Sequence, residues 1–170
     1  LLIAGQNNFY MQQGVEEWIP EMINACSELK VHCAITFLGR GWEQAVQKLS
    51  RAGYTVTHIP FAPNYTEEVQ RHDIQLTPIT VGTGTKGKVL DALANGLLVI
   101  GTEYALENIA VKNGVSCLQY ETPQEVTVLL KDVVDNVPTY EQIASTGRQC
   151  VLQHHSRRTI AKDFFSLFQP

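Results

Sequence analysis

The chain has 170 residues, 44% of them hydrophobic, with 13 basic and 17 acidic side chains and a formal net charge of −4. That length suits one domain with a real core, and an acidic balance with no basic run speaks against nucleic acid as the main partner. The wholly apolar runs are too short to span a membrane, and no charged start with an apolar centre marks a signal peptide.

Strand and helix signals then alternate in chain order. Leu1–Gly5 reads as a strand. Val15, Trp18, Ile19, Met22, Ile23 and Cys26 recur at helical spacing along one apolar face, and Pro20 inside that run predicts a kink or a break. Val31–Gly39 reads as the second strand. Trp42, Ala45, Val46 and Leu49 form the next helix face, stopped near Gly53. Tyr54–Ile59 is the third strand, and Asn64 and Tyr65 open a short polar helix carrying Glu67 and Glu68.

The segment Ile74–Thr102 carries the most information. Ile74–Ile79 is a short apolar-rich strand, and Gly82, Gly84 and Gly87 follow close together with Lys86 and Lys88 among them. Val89, Leu90, Leu93 and Ala94 lie at helical spacing, Gly96 ends the helix, and Leu97–Ile100 is wholly apolar. A glycine loop opening a helix offers unpaired backbone N–H groups and the positive end of a helix dipole, which suits an anion and most often phosphate.

Beyond this unit, Val115–Tyr120 reads as the sixth strand. Thr122-Pro123-x-Glu125 has the form of a capping box with proline at the first helical position. Val126, Leu129, Leu130, Val133 and Val134 mark the face of that helix, and 139–168 reads as one or two more helices. His154-His155 is read as a surface pair without a third metal ligand. Cys26, Cys33, Cys117 and Cys150 show no metal-binding or paired spacing. Three of them sit in apolar-patterned segments and are expected as buried free thiols, consistent with a reducing cytosol. Alternating units of this kind imply a three-layer parallel sheet of about six strands with helices on both faces. Ligands in such sheets bind beyond the C-terminal strand ends, where strand order reverses.

Three readings compete for the glycine loop. Gly82-x-Gly84-x-x-Gly87 has the spacing of a dinucleotide fingerprint, with Glu107 as the following acid, and Gly82-x4-Gly87-Lys88 approaches a P-loop, with Val89 where a metal-binding hydroxyl belongs. Both motifs normally occupy the first βα turn of their folds, whereas about three strands precede this loop.

The third reading rests on more of the chain. Pro78-x3-Gly82-x-Gly84-x-Lys86-x-Lys88-Val89-Leu90-Asp91-Ala92-Leu93-Ala94-x-Gly96 resembles the donor-binding half of GT-B glycosyltransferases, and most of all the retaining family numbered four. Leu1–Gly5 with Val15, Trp18 and Ile19, then Ala34–Gly39, Gly53–Phe61 and Thr102-x4-Glu107-x-Ile109, are similar in order and spacing to that family's successive units. The resemblance implies one half of a GT-B fold, a Rossmann-like α/β domain over 1–170. With Leu1 already inside a strand and the first methionine at Met11, the chain is expected to be a piece of a longer protein whose N-terminal acceptor domain is missing.

The resemblance also assigns roles. The donor, a nucleoside-diphosphate sugar, is expected to be held by Gly5, Arg40, Ile59, Phe61, Gly82, Thr83, Gly84, Thr85 and Asp91, with Lys86 and Glu107 acting at the phosphate and the transferred sugar. Asp91 stands where the family has a Glu that accepts bonds from the ribose hydroxyls, a task suited to two acceptor oxygens. Ile59 and Phe61 fall where the nucleobase packs. Lys86 sits in the loop and Lys88 within the helix, so Lys86 is the one placed at phosphate.

The departures are specific. Thr83 replaces a family Glu, Leu98 replaces a family Pro, and Gln6-Asn7-Asn8 lacks the basic pair that clamps diphosphate, a task left to Lys86 or Arg40. No cofactor or metal is expected. The partners implied are the donor and a glycan or lipid-linked acceptor, with the full-length protein cytoplasmic and peripheral at the inner membrane face. A degenerate, non-catalytic Rossmann-like module and a dinucleotide-binding oxidoreductase domain remain as alternatives.

Overall fold

The structure, a computed structural model, describes residues 1–168. In chain order the elements are β1 (Leu2–Ala4), α1 (Phe9–Asn24), α2 (Ser27–His32), β2 (Ile35–Leu38), α3 (Glu43–Arg51), β3 (Val56–Ile59), α4 (Tyr65–Val69), β4 (Ile74–Thr77), α5 (Gly87–Ala94), β5 (Leu98–Gly101), α6 (Glu103–Leu106), β6 (Leu118–Gln119), α7 (Pro123–Asp135), α8 (Val137–His154) and α9 (Arg157–Ser166). The strands form one parallel sheet in the order β3-β2-β1-β4-β5-β6.

Alternation along each strand divides the core into two layers, because successive side chains leave a strand on opposite faces. Ile3, Ile35, Phe37, Leu76, Leu98 and Ile100 face α1, α2, α3 and α7. Leu2, Ala4, Leu38 and Val99 face α4 and α5. Helix α8 contributes to both layers, with Tyr140, Ile143 and Ala144 in the first and Val151 in the second. Every residue of β5 is buried, as a strand covered on both faces requires.

Several boundaries differ from the sequence reading. Helix α1 starts at Phe9, well before Val15, because the Asn8 side chain caps the backbone N–H groups of Tyr10 and Met11. It runs through Pro20 without a break. Pro20 and Glu16 lie on the exposed side, so the Glu16 carbonyl deprived of its partner faces solvent. Val31 and His32 belong to α2 rather than to a strand: Val31 is exposed, and pairing with β3 starts only at Ile35.

The sixth strand is also shorter than expected. Residues 112–117 spend their polar groups on a local turn, with Ser116 N–H on the Lys112 carbonyl, Lys112 N–H on Ser116 Oγ, and Gly114 at φ 73°. At Thr122 the capping box is only half formed. Glu125 accepts from Glu121 N–H and from the Thr122 hydroxyl, while the Thr122 side chain makes no bond to the helix backbone. The four cysteines are free; Cys33 and Cys117 are buried as expected, but Cys26 is exposed. Among the described residues no helix is long and apolar enough to cross a membrane.

Candidate functional site

Strand order reverses between β1 and β4, so the loops following those two strands border the crevice where an open parallel sheet binds its ligand. The loop after β1 is built on Gly5, at φ 123°. Its N–H donates to Leu38 O at 2.8 Å and its carbonyl accepts from Trp42 Nε1 at 2.8 Å. The neighbouring loop after β2 passes so close that a Cβ on Gly39 would lie 2.7 Å from the Gln6 nitrogen. Asn7 bonds it twice, from N–H to Arg40 O and from Nδ2 to Gly41 O, each at 2.8 Å. Arg40 itself is exposed at the rim of these loops.

The glycine loop follows β4, not the first strand. Gly82 and Gly84 adopt φ 115° and 81°, conformations that glycine takes without a Cβ penalty. Gly87 has an ordinary helical backbone in open space. Lys86 is the N-cap of α5, and its side chain folds back to donate to Gly84 O. Thr83 and Thr85 are exposed. Pro78 at the loop's base presses on α1: the backbone there comes too near for anything but glycine at position 14.

Glu107 completes the loop. Its Oε2 accepts from Gly84 N–H at 3.1 Å and lies 3.8 Å from Lys86 Nζ. Two features aim it there. Thr102 caps α6 through Ala105 N–H and donates its hydroxyl to Ile79 O, joining the loops after β4 and β5. Asn108, at φ 59°, then turns the chain back immediately after Glu107; asparagine tolerates that region better than most residues.

The remaining expected residues lie on other parts of the fold. Asp91 lies one turn into α5, and burial raises its carboxyl above the usual range. Burial raises the Tyr65 hydroxyl and the Asp91 charge adds to it; Tyr65 at the start of α4 and Leu90 of α5 pack in the same core layer. Ile59 and Phe61 share a cleft of about 230 Å³ with Pro63 and Asn64. In the His154-His155 pair, His155 Nε2 accepts from Ala110 N–H at 2.9 Å. Among the described residues no group of three or more His, Cys, Asp or Glu side chains could hold a metal ion.

Two contacts here escape sequence reasoning. Tyr10, exposed in the first turn of α1, lies against Gly82, where an added Cβ would meet its ring at 3.3 Å. Lys88 reaches across the crevice to Gly5. Helical periodicity flagged neither, because their partners sit on distant loops.

A parallel sheet with this strand order, carrying a glycine loop after its fourth strand, is a Rossmann-like α/β fold of the kind found in GT-B glycosyltransferases. Residues 16–166 match the family model described as glycosyl transferase-like, and the chain belongs to that family. No curated protein matches the chain.

Solved structures agree on the fold. HepE from Anabaena, crystallised in complex with UDP, superposes with a TM-score of 0.81 at 14% identity, over 98% of this chain and 47% of that one. The C-terminal domain of the group 1 family glycosyl transferase LpcC from Francisella tularensis gives 0.72 at 16% identity, over 92% and 85%. Sucrose-phosphate synthase from Thermosynechococcus elongatus gives 0.77 at 14%, over 98% and 44%. The chain therefore spans about half the length of HepE.

Proposed function

We propose that this chain binds the nucleoside-diphosphate sugar donor of a retaining, metal-independent glycosyltransferase, with a second domain supplying the glycan or lipid-linked acceptor in the cytoplasm. The observation that carries this reading is the convergence at the β1–β4 crevice. There the Gly82–Lys86 loop and the N-terminus of α5 adjoin the loop after β1, with Lys88 Nζ over Gly5, which supports a phosphate site; Asp91, one turn along α5, and the Ile59–Phe61 cleft are assigned to ribose and base. Related crystal structures contain UDP and UDP-glucose in HepE.

In this arrangement Asp91 accepts from the ribose hydroxyls, and Gly5, Arg40 and the glycine loop surround the diphosphate. When the bond between the sugar's anomeric carbon and the phosphate oxygen breaks, negative charge grows on the departing diphosphate. Lys86 and the α5 N-terminus stabilise that charge in a fixed geometry. Glu107 yields Gly84 N–H to the phosphate and is released toward the sugar.

Calorimetric titration with UDP, GDP, ADP and NAD, with and without magnesium, tests this. One nucleoside diphosphate should bind without metal, and Lys86→Ala and Asp91→Ala should each weaken it about tenfold. Preference for NAD, or a strict need for magnesium, refutes the proposal.

The absence of a basic residue in Gln6–Asn8 and the carboxylate already seated on Gly84 N–H favour a second reading, a module without donor activity. Glu107→Gln separates the two. If the carboxylate competes with phosphate, the substitution tightens diphosphate binding by a few-fold. A module with no anion site shows no binding in either form.

A further inference from the structure

The Lys88 side chain rises from the first turn of α5 and crosses the switch point to the end of β1. A Cβ on Gly5 would lie 2.5 Å from Lys88 Nζ and 3.5 Å from its Cε. The ammonium therefore rests over the bare Cα of Gly5, the residue that opens the loop after β1. Gly5 is thus constrained twice, by its φ of 123° and by the lysine above it.

The Lys88 backbone is anchored from below. Gln75 on β4, fully buried, donates from Nε2 to Lys88 O at 3.1 Å and to Thr77 Oγ1 at 3.1 Å. Its Oε1 is buried without a partner among the described residues, so only the donor half of the amide is satisfied. Here its bonds tie the start of α5 to the strand, so Lys88 has a fixed base from which to reach.

Its charge, by contrast, is unmatched. Among the described residues the ion pairs are Arg71 with Glu68 and Lys86 with Glu107; Lys88 belongs to neither. Burial pushes its ammonium below the usual lysine range. An ammonium partly shielded from water, with no carboxylate beside it, is a natural place for a ligand to supply the opposite charge. Lys86, the lysine that loop position favours, is already occupied by Glu107 and Gly84 O.

We infer that Lys88 is a second diphosphate-binding cation of this site beside Lys86, contacting the ligand's phosphate oxygens from the β4 side of the crevice over Gly5, where the loop after β1 has no basic residue of its own. The inference rests on the donor-binding reading above. It adds a residue inside the helix to the lysine in the loop.

The test measures binding of UDP, GDP and ADP, their nucleosides and inorganic pyrophosphate to the wild-type chain and to Lys88→Met, Lys88→Arg and Lys86→Ala. Lys88→Met keeps the apolar stem and removes only the charge. Its thermal midpoint should match or exceed the wild type, its affinity for the preferred diphosphate should fall roughly ten- to hundredfold, and its affinity for the matching nucleoside should not change. Lys88→Arg should restore part of the loss. If Lys88→Met keeps diphosphate affinity while Lys86→Ala loses it, the donor site stands and the role of Lys88 is overturned. Equal losses for nucleoside and diphosphate also overturn it, because they indicate a structural role. If the wild type binds none of these ligands, both readings fall.

Discussion

Gly14→Ala lowers stability by about 3 kcal/mol or more, a fall of roughly 6–12 °C in thermal midpoint for a chain of this size. The residue sits in the second turn of α1, where alanine normally improves a helix. Here a Cβ would be driven into the Pro78 carbonyl oxygen and would come within 2.9 Å of the Pro78 carbonyl carbon and Cβ. The obstacle is backbone at the base of the glycine loop, so neither side can yield by a rotamer change. Either α1 lifts from the sheet or the loop after β4 moves, and in both cases the crevice is deformed along with the fold. Gly87→Ala is the control: it has open space and an ordinary helical backbone, and should leave the midpoint unchanged or raise it. Thermal denaturation of the two variants decides the matter; an unchanged midpoint for Gly14→Ala would contradict the close approach.

Trp42→Ala is expected to cost about 3–5 kcal/mol. Trp42 is 2% exposed, packs on Phe37 at 5.3 Å between ring centroids, and donates its indole N–H to Gly5 O at 2.8 Å. It is thus both a core residue and the support of the loop after β1. Trp42→Phe separates the two roles. It keeps most of the apolar volume, loses the bond to Gly5, and should cost about 1 kcal/mol. Denaturant unfolding of both variants gives the comparison. Similar losses for Ala and Phe would show that the hydrogen bond, not the packing, carries the energy.

These two positions show where sequence reasoning stops. Trp42 was legible as part of an apolar helix face, because its spacing with Ala45 and Leu49 is a local property of the chain. Its bond to Gly5, thirty-seven residues away, is not local and leaves no periodic trace. Gly14 carried no signal, since a glycine demanded by a neighbouring backbone resembles any other helical glycine. The helix start at Phe9 was missed for a related reason: Asn8 is one of several polar residues in Gln6–Asn8, and only the fold selects it as the cap.

The alternation of strands and helices apart from α2, the parallel α/β class and the glycine loop with its helix were contained in the sequence by itself, because they follow from hydrophobic period, glycine placement and chain order. So was the resemblance to GT-B glycosyltransferases, which the family match extends over 16–166. Only the tertiary structure decided which loops meet at the switch point, that Glu107 closes on Gly84 and Lys86, and that Lys88 rather than a β1-loop residue lies over Gly5. Those contacts join segments far apart in the chain, and their geometry comes from the packing of helices on the sheet rather than from any spacing along it.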